Sequence, residues 1–598
     1  MATQGKEKEG FGVRWWAGAG LFLLVYLVVF APALFSTYGF AEDYWLLASV
    51  GYEKDPMFTT VFFEEGRPLA GWLVRVAFSG LDEVGQLSWI RGLGLAGWAL
   101  GGLLVAAYLW RELRAGMVLS FACAAATVFT SGGLLLGGWA TISFYPIAFV
   151  LSFAAGWRLM KEGKAAWPEW LLAFALLFLS LCIYQPMTGA VLLPLFLTAL
   201  RQGLPPLRRA LRPVLLYVFT LGVYFLSWKL AIAAGWLSGG RMVRGGSLED
   251  LLGNGIHFFG KVVPALMSGP GYVLYWEFLG WIWLVAMVAW LVFELRRKER
   301  FLETAKTVGL GMGLLLLMSA PMVKSGFSPF RTLVVIGALV QVWPVMLLAH
   351  ARGRIAGAVG CLVVLFFAGL GGLALRESFV DLHAREYAAG REGFLAMESK
   401  YRAEPFGPLF VRIPKSPQAM GWPVRTAYEF GNFTCSSDWA WSDFAKQHLA
   451  EIYGVSRTDR EAFNNLIEVC PVPADFAPGD AYLLDYPAWL GVEARTDPGS
   501  SPNMSAWRQY EHTPLGWTRR MNEQWLWHEL IGWGQLYGGN PPYPYVWSKW
   551  FGQLVVQLGE GGVPLRFFRA DGTPLSEEQL RDRIRKRVDS LCHDPAMN

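Results

Sequence analysis

Residues 15–35 read WWAGAGLFLLVYLVVFAPALF, an apolar run without a single charged side chain. A run of about 20 such residues is long enough to cross the hydrocarbon core of a bilayer as a helix. The residues before it are polar and basic, with Lys6, Lys8 and Arg14. Because many further apolar runs follow, we interpret this one as a first transmembrane helix and not as a cleaved signal.

The composition of the whole chain agrees with a membrane protein. Apolar residues make up 54% of the 598 residues and charged residues only 17%. The 29 Trp suit membrane interfaces, and the 67 Gly allow helices to approach closely. A net charge of +5 gives no argument for nucleic-acid binding, and the six Cys and seven His show no metal-ligand spacing. We therefore expect a polytopic α-helical protein in a lipid bilayer.

Further apolar runs divide the first part of the chain into predicted spans. With the first run they make about eleven transmembrane helices. The additional spans are predicted near residues 86–110, 116–135, 140–157, 169–186, 188–201, 213–235, 271–293, 307–323, 331–349 and 355–375. Two long loops remain between them, 36–86 and 236–270, and the second is expected to hold short helices at the interface.

Basic residues set the predicted orientation, because cytoplasmic loops are enriched in Lys and Arg. They concentrate in alternate short loops: Arg111 and Arg114; Arg158, Lys161 and Lys164; Arg201, Arg208, Arg209 and Arg212; Arg296, Arg297, Lys298 and Arg300; Arg352 and Arg354. This pattern predicts a cytoplasmic N-terminus. An odd number of spans then places everything after residue 375 on the extracytoplasmic side.

Residues 376–598 differ from the preceding part in composition, with more charge and proline and no run long enough to span a membrane. We predict two domains, a transmembrane domain at 1–375 and an extracytoplasmic soluble domain of mixed α/β structure at 376–598. A helix is predicted at 380–402, strands at 409–413 and 482–484, a hairpin within 554–568, and a last helix from Ser576. A Cys435–Cys470 disulfide is one of several pairings that the cysteines outside the spans allow.

Charged residues that suit chemistry lie in the predicted extracytoplasmic loops. The first loop carries Glu42-Asp43-Tyr44 and then Glu64-Glu65-Gly66-Arg67-Pro68-Leu69, while Lys324 and Arg331 bracket a later turn. A carboxylate can remove a proton from an acceptor hydroxyl, and Arg or Lys can hold a phosphate. Each feature also has a structural interpretation: a solvated helix end for the carboxylates, a turn for Arg67, and headgroup contacts for Lys324 and Arg331.

These residues resemble a family. The acidic Glu42-Asp43-Tyr44 after the first span resembles the signature of GT-C glycosyltransferases, polytopic enzymes that use polyprenyl-phosphate-linked sugars. Asp43-Tyr44, Gly66-Arg67-Pro68-Leu69 and Leu181-Cys182-Ile183-Tyr184-Gln185 are, in this order, similar to the bacterial O-antigen glucosyltransferase (Gtr-type) group. The resemblance covers residues 15–375. It implies a location in the bacterial inner (plasma) membrane, with residues 376–598 periplasmic and part of the cell envelope.

The resemblance implies an inverting sugar transfer to an extracytoplasmic glycan, cell-wall polymer or protein such as a pilin. Asp43 is the expected base because relatives most often keep Asp beside Tyr, although the pattern leaves Glu42 open for that role. Arg67, Arg331 and Lys324 are expected to bind the donor phosphate, and Tyr44, Glu65, Tyr184 and Gln185 to bind substrate. Some members need a divalent metal such as Mg or Mn, and Glu42, Asp43, Glu65 and His257 could contribute ligands.

Two other functions are compatible with the sequence. A lipid-linked glycan flippase or transporter with a soluble cap would need a polar path across the bilayer, and the predicted spans carry almost no charge at mid-depth. A receptor or assembly scaffold would not depend on the acidic loop. The clustering of charge on one side favours the enzyme.

Overall fold

The computed structural model describes residues 12–49, 62–63, 65–163, 165–237, 248–296, 301–325, 329–350, 353–403, 429–434 and 440–455, together with seven strands and Gln579. Most of these residues are helical. The first nine helices are α1 (Val13–Phe35), α2 (Glu42–Ser49), α3 (Pro68–Phe78), α4 (Leu87–Arg111), α5 (Met117–Val128), α6 (Ser131–Gly138), α7 (Tyr145–Leu159), α8 (Trp167–Ile183) and α9 (Leu193–Gln202).

The second half of the helical part continues in the same manner. Its helices are α10 (Leu207–Ala233), α11 (Leu248–His257), α12 (Val263–Ser268), α13 (Phe278–Leu295), α14 (Phe301–Ser325), α15 (Val334–Val345), α16 (Gly353–Leu375), α17 (Asp381–Ala403) and α18 (Trp441–Ile452). Short 3-10 turns precede α4, α9, α13 and α15. A π-helical turn, Arg376–Val380, joins α16 to α17 without a break.

Several of these helices are long and apolar enough to cross a membrane. Among the described residues, six meet that criterion by length and composition, or seven if α5 and α6, which bend by 71°, are counted as one span. Shorter apolar helices include α3, α8 and α15, which a 3-10 turn extends to Ala349. The chain is therefore a polytopic helical membrane protein. Each of the eleven predicted spans has a helical counterpart, but the number of crossings stays a prediction.

The helices share one buried apolar core that extends from Trp15 in α1 to Leu449 in α18. Large apolar side chains on the other faces are exposed, among them Trp89, Trp167 and Trp281. This inverted pattern is expected for helices that face lipid, since lipid tails solvate apolar side chains. The lipid bilayer is thus the environment that the surface fits.

Arg91 of α4 is a fully buried charge that fixes the chain where α1 ends. Its guanidinium donates to the carbonyl oxygens of Ala33, Ser36 and Tyr38 at 2.7, 2.9 and 2.9 Å. The same group lies 4.0 Å from the centre of the Tyr38 ring. Since carbonyls at the end of a helix lack intrahelical partners, Arg91 satisfies α1 and orients the chain that leads to α2. We call this end of the helical bundle, where α1 ends and α2 begins, the α2 end.

Residues 429–434 and 440–455 pack against the α2 end. The Ala41 N–H donates to Thr434 Oγ1 at 3.3 Å, and the Val84 N–H donates to Glu451 Oε1 at 2.7 Å. In α18, Phe444 and His448 pack on Tyr44, with ring centroids 4.9 and 6.0 Å apart. The residues that the sequence assigns to the soluble part therefore complete the surface around α2.

Two small sheets lie in the last third of the chain. Strand β1 (Leu409–Arg412) lies between β2 (Val469–Val472) and β3 (Tyr482–Asp485), and both run parallel to it. Strands β4 (Tyr545–Ser548), β5 (Leu554–Leu558), β6 (Pro564–Arg569) and β7 (Pro574–Leu575) form an antiparallel sheet in chain order. The predicted strands near 409 and 482 and the predicted hairpin within 554–568 are all present.

The predicted division into domains is not settled by these elements. The boundary after residue 375 falls inside the continuous helix formed by α16, the π-helical turn and α17. Apart from Gln579, the predicted last helix lies outside the described residues, as does the Cys435–Cys470 pairing. A separate soluble domain stays a prediction.

Candidate functional site

The candidate site lies at the α2 end and begins with the two carboxylates of α2. The chain turns at Ala41, a residue with a positive φ of 44°, and α2 begins immediately after it. Glu42 and Asp43 thus occupy the first turn, where the helix dipole favours negative charge. Their adjacency sends the two side chains in different directions and into different environments.

Asp43 is fully buried, and both of its oxygens already accept hydrogen bonds. Oδ1 accepts from the Thr141 N–H at 2.8 Å and from the Thr141 hydroxyl at 2.6 Å, while Oδ2 accepts from the Phe40 N–H at 3.1 Å. Burial raises the pKa of Asp43, and the hydrogen bonds from Thr141 and Phe40 oppose that rise because they favour the ionised form. The arrangement suits a structural carboxylate better than the base predicted from the sequence.

Glu42 is the carboxylate that remains available for chemistry. Its Oε2 is buried and has no hydrogen-bond partner among the described residues. Burial raises the pKa of Glu42 to about 7, while the positive charge of Arg331 acts in the opposite direction. A base with a pKa near the working pH can accept a proton and pass it on, so the geometry favours Glu42 over Asp43.

The segment before α3 supplies the first cation of the site. Gly66 has a φ of +71°, which glycine adopts without strain, and Pro68 starts α3 one residue after Arg67. The Arg67 Nη1 lies 3.0 Å from Glu65 Oε2 and donates to the Tyr145 hydroxyl at 3.2 Å. Its guanidinium lies 4.9 Å from the centre of the Tyr184 ring.

Gln185 holds this segment in place. Its Nε2 donates to the carbonyl oxygens of Glu65 and Gly66 at 3.0 and 2.8 Å, and its Oε1 accepts from Arg67 Nε at 3.4 Å. The preceding residue, Tyr184, stacks on Tyr145 with ring centroids 3.7 Å apart and an interplanar angle of 10°. Three predicted residues, Glu65, Tyr184 and Gln185, are therefore gathered around Arg67.

The second cation is Arg331, in the 3-10 turn before α15. Its Nη1 lies 2.9 Å from Glu429 Oε1, and its guanidinium lies 5.1 Å from the centre of the Trp139 ring. The second oxygen of Glu429 accepts from the Phe330 N–H at 3.2 Å. The attraction of Glu429 and Glu42 raises the pKa of Arg331 despite its burial, so this side chain stays positively charged.

The charges of Arg67 and Arg331 influence the same groups, and we call these groups the cationic cluster. Both charges lower the pKa of the Tyr184 phenol, and the charge of Arg331 also lowers the pKa of Glu42 and opposes the rise in the pKa of Arg67. The side chains of Arg67 and Arg331 remain 21% and 23% exposed. Two polar groups beside them, the Trp139 Nε1 and the Tyr184 hydroxyl, are buried without a hydrogen-bond partner among the described residues. Unsatisfied polar groups of this kind are costly and suggest a polar ligand.

Several predicted site residues lie away from this cluster. Tyr44 is fully buried and packs against α18, so it is part of the core and not of the cluster. Lys324 is exposed in the last turn of α14, and no ion pair or hydrogen bond joins it to the cluster within the described ranges. Glu64 lies outside the described residues.

Four residues of the site were not found from the sequence: Trp139, Thr141, Tyr145 and Glu429. The first three follow the Gly-rich stretch at 132–138, and their polar and aromatic character beside a predicted extracytoplasmic turn was the available signal. Glu429 comes from the part assigned to a separate domain, and its short segment carries no motif that distinguishes it.

A divalent metal would require several carboxylate, imidazole or thiolate ligands close together. Within the described part of the chain, no three His, Cys, Asp or Glu side chains come together in a way that could hold a metal. Asp43 is committed to Thr141 and Phe40, and His257 lies at the end of α11. The ligand residues that the sequence offers therefore do not form a metal site within the described ranges.

The fold and the site define a polytopic helical membrane protein with a cationic cluster at one end of its bundle. Comparison with protein-family models, with curated proteins and with solved structures finds no match to this chain. The function must therefore be argued from the site itself.

Proposed function

We propose that the chain is an integral-membrane glycosyltransferase that moves a sugar from a polyprenyl phosphate donor to an extracytoplasmic acceptor with inversion at the anomeric carbon. The proposal includes a GT-C-like transmembrane architecture with about eleven spans. It also includes a cytoplasmic N-terminus, a periplasmic C-terminal domain and a location in the bacterial plasma membrane. The acceptor is a glycan, a cell-wall polymer or a protein.

One arrangement carries the proposal: two partly exposed guanidinium groups from distant segments and a carboxylate, with one buried oxygen that lacks a partner among the described residues, interact electrostatically at the α2 end. Arg67 and Arg331 can neutralise a phosphate, and Arg does so with paired N–H donors. Glu42 can take a proton from an acceptor hydroxyl. Sugar transfer from a lipid phosphate needs the base and the phosphate-binding cations close together, because a single monosaccharide lies between the acceptor hydroxyl and the phosphate.

The proposed reaction proceeds in one displacement. Glu42 removes the proton of the acceptor hydroxyl, and that oxygen forms a bond to the anomeric carbon of the donor sugar. The bond between the anomeric carbon and the phosphate oxygen breaks, and its electron pair stays on the phosphate. Arg67 and Arg331 stabilise the negative charge that develops there. The products are the glycosylated acceptor and polyprenyl phosphate.

The test is a transfer assay with purified protein in lipid nanodiscs and a panel of polyprenyl-phosphate-linked sugars. We expect Glu42→Gln to lower transfer by roughly a hundredfold or more, because the amide cannot accept a proton. Arg67→Lys and Arg331→Lys should lower it as well, since Lys lacks the paired donors. Glu303→Gln, at an exposed ion pair with Lys306, serves as the control.

Full activity of Glu42→Gln together with both Arg variants would overturn the proposal. The proposal is supported if the wild type and the Glu303→Gln control transfer the sugar and Glu42→Gln does not. Thermal unfolding of each variant shows whether a loss of activity reflects a loss of structure.

A further inference from the structure

Each arginine of the site already has a carboxylate partner. The Arg67 Nη1 lies 3.0 Å from Glu65, and the Arg331 Nη1 lies 2.9 Å from Glu429. The two pairs come from separate parts of the chain, and in each the carboxylate contacts the Nη1 atom of its own arginine. The positive charge that a phosphate would meet is therefore partly neutralised before any ligand binds.

Other contacts hold the arginines independently of these carboxylates. Arg67 lies over the Tyr184 ring and donates to Tyr145 and Gln185. Arg331 lies over the Trp139 ring. Cation–π contact holds both guanidinium groups, and hydrogen bonds hold that of Arg67 in addition, so a carboxylate can leave either one without the side chain moving far.

Glu429 is anchored in a manner that permits such an exchange. One of its oxygens accepts from the Phe330 N–H, and the other contacts Arg331. The first bond can keep the side chain close while the second is broken. Glu429 is only 5% exposed, whereas Arg331 is 23% exposed, so Arg331 is the more accessible member of the pair.

We propose that Glu65 and Glu429 are exchangeable counterions, which yield Arg67 and Arg331 to the donor phosphate and promote release of the polyprenyl phosphate product by taking them back. This inference rests on the proposed function. It assigns to both residues a role in the turnover of the phosphate group and gives Glu429, from the C-terminal part of the chain, a place in the site.

The charge change of the reaction provides the reason. The donor is a phosphodiester with one negative charge, and the product is a phosphate monoester that can carry nearly two. Two uncompensated guanidinium groups would hold the product more tightly than the donor and retard its release. Carboxylates that compete for the same nitrogens lower the affinity for the product and thereby allow turnover.

The test is the dissociation constant of polyprenyl phosphate, without a sugar, measured by isothermal titration calorimetry in nanodiscs at low salt. We expect Glu65→Gln and Glu429→Gln each to bind it roughly tenfold more tightly than the wild type, because a negative charge near the phosphate is removed. The control is Asp381→Asn, which alters an Arg–carboxylate pair with Arg376 at 3.1 Å and should leave the constant unchanged.

The inference is overturned if both Gln variants bind polyprenyl phosphate equally well or more weakly than the wild type. Arg67→Ala and Arg331→Ala separate this failure from that of the proposed function. If both Ala variants bind polyprenyl phosphate as the wild type does, the phosphate site itself is refuted. If they lose binding while neither Gln variant gains it, only the counterion role fails. Should Glu429→Gln not fold, Glu65→Gln decides, because Glu65 is 23% exposed.

Discussion

Thr141 donates two hydrogen bonds to one oxygen of Asp43, from its backbone N–H at 2.8 Å and from its hydroxyl at 2.6 Å. The pair joins the first turn of α2 to the segment between α6 and α7. Asp43 is therefore a connection between two parts of the chain, and the neighbouring Glu42 is left to face the cationic cluster. This division of roles leads to separate predictions for two adjacent carboxylates.

The first prediction concerns the stability that Asp43 provides. In Asp43→Asn the amide NH2 cannot accept the hydrogen bonds that Thr141 and Phe40 donate to the carboxylate, so at least one buried hydrogen bond is lost. We expect a loss of about 2–3 kcal/mol in the free energy of unfolding. The measurement is thermal unfolding in detergent, with the half-exposed Asp381→Asn as the matched control. An unchanged melting temperature for Asp43→Asn would contradict the structural role.

The second prediction concerns the pH dependence of transfer. Burial raises the pKa of Glu42 to about 7, and only the ionised form can accept a proton. Transfer should therefore fall on the acid side of about pH 7, with a slope that indicates one titrating group. The measurement is the rate at saturating donor from about pH 5.5 to 8.5. A rate that does not change over that range would exclude Glu42 as the base.

The third prediction concerns stability and follows from the same group. The pKa of Glu42 is higher in the folded protein, about 7, than the ordinary value of 4.5. Its contribution to the free energy of unfolding is then complete below pH 4.5 and is lost as the pH rises through about 7. Glu42→Gln, which carries no charge, should gain melting temperature relative to the wild type at alkaline pH. The difference should shrink at about pH 5; equal differences at both pH values would argue against a buried, unpaired carboxylate.

The fourth prediction concerns Gly132, which packs against the turn that carries Arg331. A Cβ at Gly132 in α6 would collide with the carbonyl oxygen of Phe330 and lie 2.7 Å from Val334 Cγ2. Gly132→Ala must therefore displace the turn that carries Arg331. We expect weaker polyprenyl phosphate binding by calorimetry and a lower melting temperature. A Cβ at Gly222 in α10 meets nothing within 4 Å, so Gly222→Ala is the control that should neither weaken binding nor lower the melting temperature.

Much of the helical architecture could be predicted because it depends on local properties of the chain. Apolar runs of sufficient length are visible in the sequence, and each predicted span has a helical counterpart in the structure. The loop motif of Gly66, Arg67, Tyr184 and Gln185 was also found, and the structure gathers these residues around one guanidinium.

The assignment of roles within the site could not be predicted in the same way. Thr141 lies 98 positions from Asp43, and Glu429 lies 98 positions from Arg331. No local pattern shows which of two adjacent carboxylates will meet a distant hydroxyl, or which acidic residue will reach a distant arginine. Such pairings depend on how the helices pack, and that information is spread over the whole chain.

The continuous helix from Arg354 to Ala396 has 43 residues, which corresponds to a length of about 65 Å. A bilayer's hydrocarbon core is about 30 Å thick, so this helix is roughly twice as long as one crossing requires. With Gly353–Leu375 as the predicted span, electron micrographs of the protein in nanodiscs should show α17 projecting beyond the disc. Residues 440–455, which pack beside α17, would make the profile of the particle asymmetric.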